Sequence, residues 1–130
     1  SYGSTFNLCE AAAKVLLEMQ IEVTLIDVQT LIPFDINHDI VSSLKETNRL
    51  LIVDEDGSSG ATAYMLDKIM VEQKGYYHLD AAPATLSAKD HRPPYGTDGD
   101  YFSKPSIDDI VEKAYQIMHE SNPKQFPSIY

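Results

Sequence analysis

Between Ser4 and Gln20 the apolar residues Leu8, Ala11, Ala12, Val15, Leu16 and Met19 recur at intervals of three and four, which predicts one amphipathic helix. The stretch "IEVTLIDVQTLI" then changes period. It is rich in β-branched residues and apolar on both faces through its middle, the pattern of a buried, parallel-type strand that Pro33 brings to an end. Asp35 is placed to cap a second helix with Ile36, Ile40, Val41 and Leu44 on its apolar face. "RLLIVDE" predicts a second short buried strand, and "ATAYMLDKIMVEQK" a third helix closed by Gly75. "YYHLDAAPATLS" is a strand region broken by Pro83, and "AKDHRPPYGTDGDYFSKP" is an extended loop.

Ser106, with Asp109 three residues on, opens a last helix in a capping-box arrangement. Its predicted buried stripe is Ile107, Ile110, Val111, Ala114, Ile117 and Met118. Helices alternating with buried strands imply βα units, so the expected fold is α/β: three layers, α/β/α, around a mostly parallel sheet. The expected division is a domain over residues 1–121 and a proline-broken tail over 122–130.

Charge narrows the partners. Twenty acids against ten bases leave a net charge of −10 in 130 residues. That opposes nucleic acid, whose phosphates need cations, and anionic membrane surfaces, and it favours a basic protein partner. The single cysteine, Cys9, has no partner for an internal disulfide. The expected location is therefore the cytoplasm or another reducing compartment, with Cys9 a small buried residue.

The densest candidate chemistry is "DEDGSSG", where Asp54, Glu55 and Asp56 end the second strand and Gly57 and Gly60 bracket the turn. It lacks the alternating oxygen ligands and distal glutamate of a calcium loop, and is neither a dinucleotide nor a Walker glycine loop. Adjacent strand residues also point to opposite faces, so the three carboxylates cannot converge without a turn. His38, His78, His91 and His119 are too scattered for a metal site. His91, Arg92 and Tyr95 share one proline-stiffened loop and form a candidate contact element. Tyr76, Tyr77, Tyr95, Tyr101 and Phe102 either pack that half onto the sheet or form the centre of an interface.

The order and wording of these pieces resemble a known family. "YGSTFNLCEAAAKVLLEMQIEVTLIDVQTLIPFD", "ETNRLLIVDED", the Gly57–Gly60 loop, "LDAAP" and "PPY" follow the sequence of the transketolase C-terminal domain. The closer resemblance is to the β-type part of thiamine-diphosphate-dependent 2-oxo acid dehydrogenases, the E1 component. It implies a domain without catalytic, cofactor or metal residues of its own. In that family other domains hold thiamine diphosphate and magnesium, and the whole enzyme decarboxylates a 2-oxo acid and acylates a lipoyl group.

The implied partners are other E1 domains or subunits, a second E1 protomer, and the E2 subunit-binding domain. Asp54, Glu55, Asp56, Gly57, Gly60, His91, Arg92, Tyr95, Phe126 and Tyr130 are the candidate partner-facing residues. "GATAYM" departs from the family's usual "gaE", so no role is carried to that helix start. The resemblance also implies that "SYG" is the end of a central strand whose body lies upstream. The strands at 23–28 and 50–53 would then flank it, and the first strands of the fold would be missing here. A transketolase or deoxyxylulose-phosphate-synthase type transferase and a stand-alone acidic binding module are the alternatives.

Overall fold

A computed structural model describes residues 1–57, 60–88 and 104–129. His91, Arg92, Tyr95 and Tyr130 therefore lie outside the described residues, as do Tyr101 and Phe102. The first helix, α1 (Gly3–Glu18), buries Thr5, Cys9, Ala12 and Leu16. That stripe is rotated from the expected one, and Val15 stays 40 % exposed. At its end Gln20 takes a left-handed φ of 64°. Ile21 N–H then donates to Leu16 O (2.9 Å) and Gln20 N–H to Leu17 O (3.0 Å). These are the two bonds of a Schellman motif, and Leu16 and Ile21 supply its hydrophobic contact.

Helix α2 (Asp39–Thr47) starts later than expected, so Ile36 is 73 % exposed and outside its stripe. Asp35 nevertheless serves the helix start, since its carboxylate accepts from Asp39 N–H (2.9 Å) and Ile40 N–H (3.2 Å). Strand β1 (Leu51–Val53) leads to α3 (Ala61–Asp67), which widens into a π-helical turn over Lys68–Glu72. The left-handed residue after that turn is Lys74, not Gly75. Gly75 is required for another reason: a Cβ there would stand 2.9 Å from Ile69 O.

A 3₁₀ turn (Gly75–His78) precedes strand β2 (Ala84–Leu86), and α4 (Ile107–Ser121) closes the described chain. The Ser106–Asp109 capping box is present in both directions, at 3.1 and 2.9 Å. Tyr76 and Tyr77 stack tilted at 4.3 Å, and both are exposed, so they do not pack onto the sheet.

β1 and β2 pair in parallel, Leu51 opposite Ala84 and Val53 opposite Leu86. Ile52 faces a cluster of Leu44 from α2 and Met65 and Ile69 from α3. Leu51 and Val53 face Cys9 and Ala12 of α1 and Ile110 of α4. Side chains of one strand alternate between two helix layers, as the α/β/α reading requires.

The expected strand at 21–32 forms no ladder among the described residues. Its only rung is with Ser1, whose N donates to Ile26 O (3.2 Å) and whose O accepts from Val28 N–H (2.8 Å). That pair of bonds is one parallel bridge. The segment does not pair with β1, and residues 22–25 are exposed. A buried-strand composition needs a strand beside it, and among the described residues none lies there.

The tail does not stand apart from the domain. Phe126 is 6 % exposed and joins Leu16, Ile21 and Tyr115 in a third cluster, its ring edge-on to Tyr115 at 6.1 Å. Tyr115 OH donates to Pro127 O (2.7 Å), and His119 Nδ1 lies 2.7 Å from Phe126 O.

Candidate functional site

In a parallel sheet flanked by helices, the loops leaving the carboxyl ends of the strands are the usual place for ligands and neighbours. Here that edge holds Asp54–Gly57 after β1, Ser87 and Ala88 after β2, and Tyr2. Asp54 continues the ladder through its N–H to Leu86 O (3.0 Å), and Asp56 O accepts from Ala88 N–H (2.9 Å). Both bonds hold the turn against the second strand, so its carboxylates are placed by backbone.

The three acids have three different environments. Asp54 has the side-chain parity of Ile52 and so points inward, where it is 1 % exposed. Its Oδ2 accepts from Tyr2 OH at 2.9 Å. Burial first, then the bond to Asp54 and its charge, push the Tyr2 phenol up to about 12, so it is a neutral donor at physiological pH. Asp54 is therefore turned into the fold, in a part-buried pair with Tyr2. Glu55 is exposed and lies 3.3 Å from Lys104 Nζ. Asp56 is exposed but turned back on its own loop, accepting from Gly57 N–H at 2.9 Å.

Gly60 is fixed by the same loop. A Cβ there would meet Asp56 Oδ2 at 2.6 Å and Gly57 O at 3.2 Å. The glycine lets Asp56 fold across the turn. Phe126, also read as partner-facing, is buried within the chain. Sequence reasoning missed two exposed apolar side chains on the same edge, Ile32 (85 %) and Ile36. They flank the buried Phe34, past the carboxyl end of the 21–28 segment, and the signal for them was the Pro33 that forces the chain out of the sheet.

Among the described residues, no group of three or more His, Cys, Asp or Glu side chains is arranged to hold a metal ion. The turn does not fit a diphosphate either. Asp54, Glu55 and Asp56 would repel its charge, and the seven-residue α3 behind them is too short to offset three acids. No helix of the described residues is long and apolar enough to cross a membrane. The geometry defines a parallel α/β domain with an acidic, hydrogen-bonded strand edge.

Comparison with known proteins specifies the family. Residues 1–110 match the transketolase C-terminal domain, and the chain belongs to that family. Its relatives include the pyruvate dehydrogenase E1 component subunit beta of Rickettsia felis, 30% identical over 121 residues, which are 93% of this chain and 36% of that protein. The corresponding subunit of Acholeplasma laidlawii is 31% identical over 112 residues, 85% of this chain and 33% of its own length. The chloroplastic subunit beta-3 of Oryza sativa is 37% identical over 84 residues, 65% of this chain and 21% of its own. The chain thus spans about a third of the length of the first two of these relatives.

Proposed function

We propose that this chain is the assembly domain of the β-type part of a 2-oxo acid dehydrogenase E1 component. The whole enzyme would oxidatively decarboxylate a 2-oxo acid and acylate a lipoyl group, with thiamine diphosphate and magnesium held by its other domains. This domain would contribute contacts to neighbouring E1 domains, to a second protomer and to the E2 subunit-binding domain. The observation that carries the reading is the family match over residues 1–110 together with relatives that are E1 β subunits.

The chemistry of the strand edge supports it. Each acid there is engaged in a local bond, Asp54 with Tyr2, Glu55 with Lys104, and Asp56 with Gly57. A net charge of −10 and exposed Ile32 and Ile36 on the same edge suit a basic protein surface with an apolar centre. His91, Arg92, Tyr95 and Tyr130 are proposed to extend that surface.

Calorimetry tests the proposal directly. The chain should take up an E2 subunit-binding domain with affinity that falls as salt is raised, and should give no heat with thiamine diphosphate and magnesium. Cofactor binding by the isolated chain would overturn the proposal.

A further inference from the structure

The loop that joins the 21–28 segment to α2 is pinned along its backbone, yet it puts two large apolar side chains into water. Thr30 Oγ1 donates to Pro33 O at 2.8 Å, and Tyr64 OH donates to Leu31 O at 3.1 Å. Phe34 is buried in the cluster formed with α2 and α3, its ring edge-on to Tyr64 at 6.1 Å. Beyond it, His38 N–H donates to Asp35 O at 2.9 Å while the Asp35 carboxylate holds the amides of Asp39 and Ile40. Ile32 and Ile36 project from this frame at 85 % and 73 % exposure, and Pro33 beside them is exposed as well. Phe34 anchors the loop, so the two isoleucines are left over from the packing of this domain. Charge around them is one-sided. From residue 15 to residue 44 the sequence has Glu18, Glu22, Asp27, Asp35 and Asp39 but no lysine or arginine. The turn carrying Asp54, Glu55 and Asp56 leads into α3, whose first-turn residues Ala61 and Tyr64 join the Phe34 cluster, so its acids border the same loop.

We propose that Ile32 and Ile36 are the apolar centre of a permanent contact with a basic surface in another part of the same E1 assembly. That surface has apolar room for the two isoleucines and lysine or arginine around its rim. The inference deepens the assembly reading and rests on it. A pinned loop loses little conformational freedom on binding, so the burial of its side chains goes mostly into affinity. Desolvated aliphatic anchors inside a charged rim are the arrangement in which a few residues dominate an interface. Symmetric docking of a second copy of this domain would set acids against acids, which costs affinity. Permanent interfaces are also more apolar than transient ones, and two rigidly held isoleucines fit the permanent kind.

A photoactivatable benzoyl-phenylalanine placed at position 32, and separately at position 36, in purified whole E1 reports what covers the loop. Irradiation should join each position to a segment of E1 outside this domain that carries lysine or arginine close to the captured residue. Capture only of an added E2 subunit-binding domain, capture of a second copy of this domain, or no crosslink at either position would overturn the proposal. Substitution then tests the energetic role. In E1 carrying Ile32→Ser with Ile36→Ser, amide exchange in the captured segment should quicken by more than about tenfold, while Ile32→Val with Ile36→Val should match wild type. Both isoleucines are exposed in this domain, so exchange at Leu44, Ile52 and Met65 of its core should not change in either variant. Unchanged exchange of the captured segment in the serine variant would overturn the proposal, since the isoleucines would then touch the neighbour without holding it. E1 lacking this whole domain separates the two claims. If it assembles as wild type does, the assembly reading fails and this inference with it. If assembly needs the domain but the serine variant behaves as wild type, this inference fails alone.

Discussion

Replacing Tyr2 by phenylalanine removes one oxygen and leaves the Asp54 carboxylate, 1 % exposed, without the donor that stands 2.9 Å away. A hydrogen bond to a charged acceptor contributes about 1.5–3 kcal/mol, and a buried carboxylate stripped of its partner adds desolvation cost. We expect Tyr2→Phe to cost about 2 kcal/mol, which lowers the melting temperature by about 7 °C for a chain of this size. The double-mutant cycle with Asp54→Asn isolates the pair, and most of the loss should appear as coupling.

The pH dependence carries a sign that can be checked. Tyr2 is raised from the usual 10 to about 12, so folding favours the neutral phenol. That contribution is fully present below pH 10 and disappears as pH climbs to 12. After allowance for the partial exposure of the ring it amounts to about 1 kcal/mol. Urea denaturation of wild type and Tyr2→Phe at pH 7 and at pH 11 supplies both numbers. A loss of less than about 0.5 kcal/mol at pH 7, or additive effects of the two substitutions, would refute the reasoning.

Three further perturbations follow from the backbone and the core. Gln20→Gly relieves a left-handed φ of 64° at the end of α1 and should stabilise the chain by about 0.5–1 kcal/mol, read as a higher urea midpoint. Gly60→Ala drives a methyl group to 2.6 Å from Asp56 Oδ2 and should cost about 1–3 kcal/mol; Asp56→Ala in the same chain should recover part of it, and no recovery would mean that Gly57 O is the harder contact. Phe126→Ala opens the cluster with Leu16 and Tyr115 and should cost about 3–5 kcal/mol by chemical denaturation, whereas a free tail would lose almost nothing.

The helices were legible because their signals are local. Ser106 and Asp109 announce the start of α4 within four residues, and Asp35 reaches the first amides of α2 whatever residue the helix begins on. Ile36 and Val15 mark the limit of that reading. Periodicity says that a stripe exists, but tertiary packing chooses its phase, and in α1 it chose Thr5, Cys9, Ala12 and Leu16. The 21–32 stretch has a strand's composition but no ladder, because a strand is defined by its neighbours and composition cannot supply them.

At the strand edge, the grouping of Asp54, Glu55 and Asp56 was visible in the sequence, while their division of labour was not. Parity along β1 buries Asp54, and the residue that meets it lies 52 positions away. Phe126 was misread for the opposite reason: a proline-broken tail gives no periodicity, so nothing local reveals that its aromatic ring fills a hole between α1 and α4.

That packing has a consequence for how the domain is made. The cluster of Leu16, Ile21, Tyr115 and Phe126 joins residues from the beginning and the end of the described chain. During synthesis α1 leaves the ribosome early, at about 5–20 residues per second, and must wait for residue 126 before its inner face is sealed. For those seconds Leu16 and Ile21 are available to other surfaces. A nascent domain of this design is most exposed to chaperones and to misassembly until Phe126 emerges, and a stop between the end of α4 and Phe126 would leave it in that state permanently.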